Sequence, residues 1–156
     1  ARSTLAASRA ESTTLRGEFS QLRAYLDIMS LRMGPRLTYR LELPAALEQT
    51  AIPPMLLQPL VENAIKHGLE PKVGSGSIEV VARAVDASIE ISVEDSGLGL
   101  TLKDEAACLN PDCNRGASYG LSNVRDRLQN TYGTRATLSL QARTPSGVSA
   151  VVRIPT

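Results

Sequence analysis

Hydrophobic side chains early in the chain recur at alternating steps of four and three residues, which is the spacing of one face of a helix. They are Leu15, Phe19, Leu22, Leu26, Met29 and Met33. The pattern predicts a helix over about residues 13–33, ended by Gly34-Pro35. Its far, solvent-facing side is predicted to carry Arg16, Glu18, Arg23 and Asp27.

A second helix is predicted to open at Pro53-Pro54, to reach His67 and to stop at Gly68. Pro59 lies inside it, so we expect an early kink or a break. At about 100° per residue, its apolar and polar side chains separate onto two sides. The apolar side holds Leu57, Leu60, Val61 and Ala64, and the polar side holds Glu62, Asn63, Lys66 and His67. A helix that lines a polar pocket needs such a polar side, whereas a buried helix does not.

The rest of the pattern consists of strands and one more helix. The predicted strands cover residues 37–43, 78–82, 88–94, 136–142 and 148–154, and the helix covers residues 123–132. Residues 74–77 are predicted to be a turn, and a loop follows between Gly97 and Gly116. This order of elements predicts a two-layer α/β sandwich, in which one mixed sheet is covered on one face by helices.

The 156 residues suffice for one domain with a sizeable core and one appended element. Seventeen basic and sixteen acidic residues give a net charge of +1. No basic excess exists to neutralise the phosphates of a nucleic acid, so we expect no nucleic-acid partner. The chain begins at Ala1 without an initiator Met, and we therefore expect a fragment of a longer protein.

Asn63 and Asp95 carry side chains that suit a nucleotide. The Asn63 carbonyl oxygen is a suitable ligand for Mg²⁺, which prefers oxygen and fills the rest of its shell with phosphates and water. Lys66 lies on the same side of the helix and can meet phosphate charge. Asp95 ends a hydrophobic strand, where a buried carboxylate is costly unless it is paired. The amino group of adenine is a fitting donor for it.

Two glycine segments follow in the chain. Gly97 and Gly99 allow a positive φ and a close approach of the backbone to a flat base. Gly116 and Gly120 precede a predicted helix whose first amides and dipole favour an anion. Each motif alone also fits an ordinary turn, a capped helix start or a structural asparagine. The polar side of the second helix, the segment from Asp95 to Gly99 and the segment from Gly116 to Gly120 follow one another in this order. Together these three motifs indicate an ATP pocket.

Three segments resemble the LytS-type sensor histidine kinases of the GHKL superfamily. Pro-Pro-Met-Leu-Leu-Gln-Pro-Leu-Val-Glu-Asn-Ala-Ile-Lys-His-Gly, at residues 53–68, resembles their N box. Gly-Leu-Ser-Asn-Val-Arg-Asp-Arg-Leu, at residues 120–128, resembles their second glycine box. Residues 22–34 resemble their linker helix. The resemblance covers nearly the whole chain and implies a Bergerat-type ATP-binding fold.

The resemblance implies ATP and Mg²⁺ as cofactors and gives each candidate residue a role. Asn63 is the implied Mg²⁺ ligand and, with Glu62, a candidate catalytic residue. Asp95 is the implied adenine reader, and Lys66 and His67 border the phosphates. Residues 100–116 form a lid. The pocket is completed by Gly97, Gly99, Gly116, Gly120, Leu121 and Asn123.

The resemblance also implies a domain organisation and partners. Residues 1–33 are expected to be the C-terminal part of a dimerisation and linker helix, and residues 34–156 the catalytic domain. The γ-phosphate is expected to pass to a histidine on a separate dimerisation domain of a homodimer. From there it passes to an aspartate of a response regulator of the LytTR class. We expect a cytoplasmic domain of an inner-membrane sensor protein.

Three features depart from the family pattern. The acceptor histidine is missing, because His67 belongs to the N box itself. We therefore expect this chain to bind ATP without phosphorylating itself. Ser118 stands where the family has the central glycine of its second box, which predicts a weakened ATP affinity. Cys108 and Cys113 lie in the lid, either as two free thiols or as a redox-sensitive disulfide that locks it.

Two other functions stay open. An anti-sigma serine kinase needs a catalytic base about one turn before Asn63, and the residue there is Pro59, which cannot accept a proton. A degenerate, non-catalytic GHKL module would signal through dimer contacts of the apolar stripe on the first helix. Binding of Mg-ATP discriminates such a module from a kinase.

Overall fold

The computed structural model describes residues 13–69, 74–97, 116–142 and 147–155. This part of the chain contains the helices α1 (Leu15–Met33), α2 (Gln58–Asn63) and α3 (Gly116–Tyr132), with a π-helix at Ala64–Leu69 that continues α2. Its strands are β1 (Thr13–Thr14), β2 (Leu37–Glu42), β3 (Ala51–Ile52), β4 (Gly76–Val85), β5 (Ser88–Asp95), β6 (Thr137–Ala142) and β7 (Val148–Pro155). Short 3₁₀ turns lie at Gly34–Arg36, Ala45–Leu47 and Gly133–Arg135.

Five strands form one mixed sheet in the order β2-β4-β5-β7-β6. β2 and β4 are parallel, whereas the other neighbouring strands are antiparallel. β5 is the central strand, and its last residue, Asp95, lies opposite Ile78 of β4 and Val148 of β7. β1 and β3 form a separate antiparallel pair of two residues each.

One face of the sheet is buried because side chains alternate along its strands. Val80 of β4 and Ile91 of β5 belong to the core, while their chain neighbours are more exposed. The apolar stripe of α1 joins the same core through Leu15, Phe19, Leu22, Leu26 and Met29. The predicted two-layer α/β sandwich is therefore confirmed. In the described ranges, no helix is both long and apolar enough to cross a membrane.

The two ends of α1 show why the helix occupies these residues. Thr14 caps the first turn, because its side-chain oxygen accepts a hydrogen bond from the N–H of Gly17 at 3.1 Å. The helix ends as predicted at Gly34, which has a φ of +66°. Glycine reaches this left-handed region at little cost, so it is the common terminator of helices.

The predicted bounds of the second helix are wrong at both ends. α2 begins at Gln58 rather than at Pro53, and the helical segment continues as a π-helix to Leu69. Pro59 lies in the first turn of α2, where its missing N–H would have no helical partner in any case. Of the expected kink or break, the structure shows a break: residues 53–57 are not helical, and the helix begins at Gln58, directly before Pro59.

Two other boundaries also differ from their predictions. α3 begins at Gly116 rather than at Asn123, so the glycine segment up to Gly120 is helical. A glycine weakens a helix by only about 1 kcal/mol and does not forbid it. β4 begins inside the predicted turn, because Gly76 pairs with Leu37 of the parallel strand β2.

Candidate functional site

The second helix separates polar from apolar side chains, as far as the structure describes them. Its buried side chains are Leu57, Leu60, Val61, Ala64 and Ile65. Glu62 and Asn63 are partly exposed, and Lys66 is exposed. Glu62 accepts a hydrogen bond from the side-chain amide of Gln58 at 3.0 Å. Asn63 and Lys66 thus belong to the solvent-accessible side of this segment, while the Glu62 carboxylate is bonded within its own helix.

The helix changes its winding directly after Asn63. Residues Ala64–Leu69 form a π-helix, a rare winding in which hydrogen bonds span five residues instead of four. At the junction, the N–H of Ala64 is shared between the carbonyl groups of Leu60 and Val61. Lys66 therefore does not keep the angular spacing from Asn63 that an α-helix gives. Such π-helical segments are frequent at functional sites, and nothing in the hydrophobic pattern indicated this one.

Asp95 is a buried carboxylate at the end of the central strand, with 3% of its surface exposed. Its Oδ1 accepts a hydrogen bond from the N–H of Gly97 at 2.8 Å. Burial of an ionised carboxylate is expensive, and hydrogen bonds from amides reduce that cost. The bond to Gly97 also fixes the direction of the side chain, since it links the carboxylate to the backbone two residues ahead.

The backbone next to Asp95 is fixed by contacts from both sides. The N–H of Ser96 donates to the carbonyl oxygen of Ser77 at 3.0 Å, and the N–H of Ser77 donates to Oγ of Ser96 at 2.8 Å. On the β7 side, Gly147 has a φ of +109°, and a Cβ at this position would lie 1.9 Å from the carbonyl oxygen of Asp95. Only a glycine fits there. In the sequence, Gly147 directly precedes the last predicted strand, and nothing at that position pointed to Asp95.

The third helix packs against α2, and the π-helix packs against β5. Asn123 is exposed and, together with Pro53, lines a cavity of about 370 Å³. Gly116 and Gly120 lie inside the first turns of α3, not in a turn that precedes it. The amides without helical partners are the first four of α3, and the N–H of Gly120 is not one of them.

Some predicted positions are only partly described or not described. Those outside the described residues are Gly99, Cys108, Cys113 and the lid residues 100–115. At His67, Ser118 and Leu121 the description covers the helical backbone and not the side chain. The roles of these residues stay predictions.

The placement of Glu18 on the far side of the first helix is wrong. Its side chain is buried, with 1% of the residue surface exposed. It accepts hydrogen bonds from backbone N–H groups of the segment that leads into α2. A signal was present in the sequence, because Glu18 follows Leu15 by three residues and precedes Leu22 by four. This spacing belongs to the apolar stripe and not to the far side.

Residues 53–156 match the family model described as histidine kinase-, DNA gyrase B- and HSP90-like ATPase. The matched range is more than half of the chain and includes Asn63, Asp95 and all of α3. The chain belongs to this ATPase family.

Two sensor proteins are similar to this member of the family over most of its length. The sensor protein LytS of Staphylococcus haemolyticus is 32% identical over 157 residues, which cover 99% of this chain and 26% of LytS. The sensor histidine kinase YesM of Bacillus subtilis is 32% identical over 142 residues, which cover 91% of this chain and 24% of YesM. The chain thus spans about a quarter of the length of these two relatives.

Solved structures of histidine kinase catalytic domains have the same fold. The catalytic domain of ThkA superposes with a TM-score of 0.69 at 18% identity, over 92% of this chain and 93% of the ThkA chain. ThkA in complex with the response regulator TrrA superposes with a TM-score of 0.68 at 18% identity, over 92% of this chain and 41% of that chain. At these identities the likeness establishes the fold.

The described residues of this family member fit an adenine nucleotide with Mg²⁺. Asp95 places a hydrogen-bond acceptor in a buried position, which suits an amino group of a base. Asn63 carries a neutral oxygen ligand on an accessible side chain, and Mg²⁺ takes few protein ligands when phosphates and water complete its shell. Lys66 adds a positive charge on the same segment.

Proposed function

We propose that this chain is the ATP-binding catalytic domain of a two-component sensor histidine kinase. The observation that carries the proposal is the buried Asp95 carboxylate at the end of the central strand of an ATPase-family domain. Asp95 accepts a hydrogen bond from the amino group of adenine, while Gly97 and Gly99 admit the base. Guanine has a carbonyl oxygen where adenine has that amino group, so the carboxylate repels it. The site therefore selects ATP over GTP.

The phosphates are assigned to the other side of the site. Asn63 binds Mg²⁺ through its side-chain oxygen next to Glu62, and Lys66 and His67 border the phosphates. Mg²⁺, when bound, neutralises charge on the phosphoryl group that is transferred. The first-turn amides of α3, which begin at Gly116, are available to an anion. The pocket is completed by Gly120, Leu121 and Asn123.

Calorimetric titration of the whole chain with ATP tests the nucleotide site. We expect saturable binding that Mg²⁺ strengthens, and much weaker binding of GTP. Equal affinities for ATP and GTP would contradict the role of Asp95, and the absence of any binding to a folded sample would contradict the function.

Two variants test the two assigned residues separately. Asn63→Ala is expected to remove the Mg²⁺-dependent part of the affinity and to leave Mg²⁺-free binding in place. Asp95→Asn is expected to weaken ATP binding and to reduce the preference over GTP. The matched control is Asp86→Asn in the exposed turn before β5, where φ is +54° and asparagine is well tolerated. Wild-type affinity in either site variant would refute that assignment.

Phosphoryl transfer and its partners extend the proposal to the full-length protein. Residues 1–33 belong to the dimerisation and linker region of the full-length protein, and the homodimer supplies the acceptor histidine. A response regulator of the LytTR class receives the phosphate, and the domain lies on the cytoplasmic side of a membrane sensor. The solved complex of ThkA with TrrA supports a response regulator as the partner.

Radiolabelled ATP tests the transfer step. The chain alone is expected to incorporate no acid-labile phosphate. A longer protein that carries the upstream dimerisation region is expected to incorporate it, and Asn63→Ala in that protein is expected to abolish the label. Labelling of the isolated chain would instead indicate an acceptor within it.

Two alternatives make different predictions. An anti-sigma serine kinase would phosphorylate a protein hydroxyl, and its product would be stable in acid. Pro59, in the first turn of α2, has no side chain that can act as its base. A degenerate module that signals through dimer contacts would bind no Mg-ATP. The first titration therefore separates it from the kinase.

A further inference from the structure

Glu18 is a carboxylate inside the apolar interface between α1 and the rest of the domain. Its residue surface is 1% exposed. Its neighbours along the same helix face, Leu15, Phe19 and Leu22, are buried as well. A charged group in such a place is destabilising unless several donors satisfy it.

The three donors are backbone N–H groups at the start of the second helix. Oε1 of Glu18 accepts from Met55 at 3.3 Å, and Oε2 accepts from Leu57 at 2.9 Å and from Gln58 at 3.2 Å. α2 has no side-chain cap of its own, because its N-cap residue is Leu57. Glu18 supplies this cap from a distant part of the chain. Its charge also interacts favourably with the positive end of the helix dipole.

The cap includes a residue with an unfavourable backbone conformation. Met55 has a φ of +60°, which a residue with a Cβ adopts at a cost of about 1–3 kcal/mol. The N–H of Met55 points at the Glu18 carboxylate in this conformation. The segment before α2 is thus bent around one side chain of α1.

Further contacts fasten the start of α1 to the same segment. β1 pairs with β3. The N–H of Leu15 donates to the backbone carbonyl oxygen of Thr50 at 2.9 Å, and the N–H of Arg16 donates to that of Glu48 at 3.0 Å. α1 therefore holds the chain from residue 48 to residue 58. Asn63 follows only five residues later, at the end of α2.

We infer that Glu18 is a positioning residue for the nucleotide site, because its carboxylate caps α2 and thereby sets the orientation of Asn63. A displacement of α1 reaches the phosphate side of the site through this carboxylate. The inference rests on the proposed role of Asn63 for its effect on nucleotide affinity, while the cap itself does not depend on that role.

Glu18→Gln tests the cap with little change in volume. The amide keeps one oxygen acceptor but turns an NH₂ group toward a backbone donor. We expect the dissociation constant for Mg-ATP to rise about tenfold, since the lost bonds involve a charged group. The matched control is Leu22→Ala, one turn further along the same buried face. It removes core packing but leaves the three bonds accepted by Glu18 in place, so it is expected to lower stability and to leave the affinity of the folded protein unchanged.

The measurement that separates positioning from general stability is a comparison of the Mg-ATP dissociation constants of the two variants. Both variants are titrated at a temperature at which each is fully folded. A raised dissociation constant in Glu18→Gln alone supports the inference. Unchanged affinity in Glu18→Gln, or an equal loss in both variants, overturns it. If Glu18→Gln does not fold, Glu18→Asp takes its place, because it keeps the charge but lacks the reach to all three amides.

Hydrogen exchange gives a second readout that needs no nucleotide. The measured quantity is the ratio of the exchange rates of the amides from Met55 through α2 to those of the sheet strands. We expect this ratio to rise in Glu18→Gln and to stay at its wild-type value in Leu22→Ala. An unchanged ratio in Glu18→Gln overturns the inference even if the chain binds no ATP. Failure of the proposed function and failure of the inference are therefore distinguishable.

Discussion

The candidate site has two ends that are built by different means. At the Asp95 end, comprising residues 95–97 and Gly147, the candidate side chain ends a strand that is paired on both sides. At the Asn63 end, comprising α2 and the π-helix, the candidate side chain ends a helix of six residues. The first end is held by sheet pairing, whereas the second depends on a cap donated by α1.

The two ends are therefore sensitive to different kinds of substitution. The Asp95 end has closely approaching backbones, so an added atom disturbs it more than the loss of one side-chain bond. At the Asn63 end, one side chain, Glu18, accepts three bonds at the start of the helix, so its loss is transmitted along the helix. The following changes test this comparison in order of decreasing effect.

Gly147→Ala should have the largest effect, because the new Cβ would meet the Asp95 backbone. Positive-φ strain and overpacking together predict a loss of about 3–5 kcal/mol in the free energy of unfolding. Denaturant titration measures this loss. The matched control is Gly74→Ala, where φ is +99° but no atom lies within 4 Å of the added Cβ. The control carries only the strain, so equal losses in the two variants would show that the close approach contributes nothing.

Ser96→Ala removes one side-chain bond from the Asp95 end. The N–H of Ser77 loses its acceptor, and we expect a loss of about 1–2 kcal/mol in the free energy of unfolding. The preference for ATP over GTP should persist, since sheet pairing still holds Asp95. Ser92→Ala is the control, because its hydroxyl lies 3.5 Å from the carbonyl oxygen of Val81, at the limit of a hydrogen bond. Loss of the nucleotide preference in Ser96→Ala would contradict the robustness assigned to this end.

Thr14→Ala removes the cap of α1 close to Glu18. We expect a loss of about 1 kcal/mol in the free energy of unfolding. Unlike the previous variant, it should also weaken Mg-ATP binding, since fraying of the first turn of α1 loosens the cap on α2. Thr14→Ser keeps the capping oxygen and serves as the control. Equal nucleotide affinities in the two variants would show that the start of α1 does not affect the site.

Glu90 lies on the polar face of the sheet, away from both ends, and its removal should have the smallest effect. Hydrogen bonds from Arg153 and Arg83 hold the pKa of its carboxyl below the ordinary value of 4.5. A lowered folded-state pKa stabilises the fold above the unfolded-state value, and this stabilisation is lost as the pH falls through the folded-state pKa. Glu90→Gln should cost under about 1 kcal/mol at neutral pH and reduce acid sensitivity below about pH 4.5.

Unfolding titrations at neutral and acidic pH measure the effect at Glu90, with Glu42→Gln as an exposed ion-pair control. Nucleotide binding should not change in either variant. An acid sensitivity that equals that of the wild type would contradict the contribution of the Glu90 carboxylate.

Local signals in the sequence were sufficient for much of the fold. The alternation along β5 and the glycine after α1 report short-range geometry, so both could be read directly. The start of α2 could not, because it depends on the distant carboxylate of Glu18 and on an unusual φ at Met55. Pro53-Pro54 has the composition of a helix start, but Pro59 also fits a first helical turn that begins at Gln58, so local composition does not choose between the two starts.

The candidate residues could be named from the sequence, whereas the contacts that support them could not. Asn63 and Asp95 stand out as polar residues at the ends of apolar segments. The close approach of Gly147 and the π-winding after Asn63 arise from tertiary packing, which leaves no periodic trace in the sequence. Glu18 has the spacing of the apolar stripe, but because it is charged it was assigned to the far, polar side of the helix.

The parallel pairing of β2 with β4 has a consequence for the order in which the domain folds. β4 reaches β5 through a short turn, whereas β2 reaches β4 only after the chain has passed through β3, α2 and the π-helix. Closing this crossover costs chain entropy before its contacts form. We expect the β4–β5 hairpin to form early. The crossover between β2 and β4, which carries Asn63, is expected to dock late. Substitutions at Glu18 should then speed unfolding and barely change the folding rate.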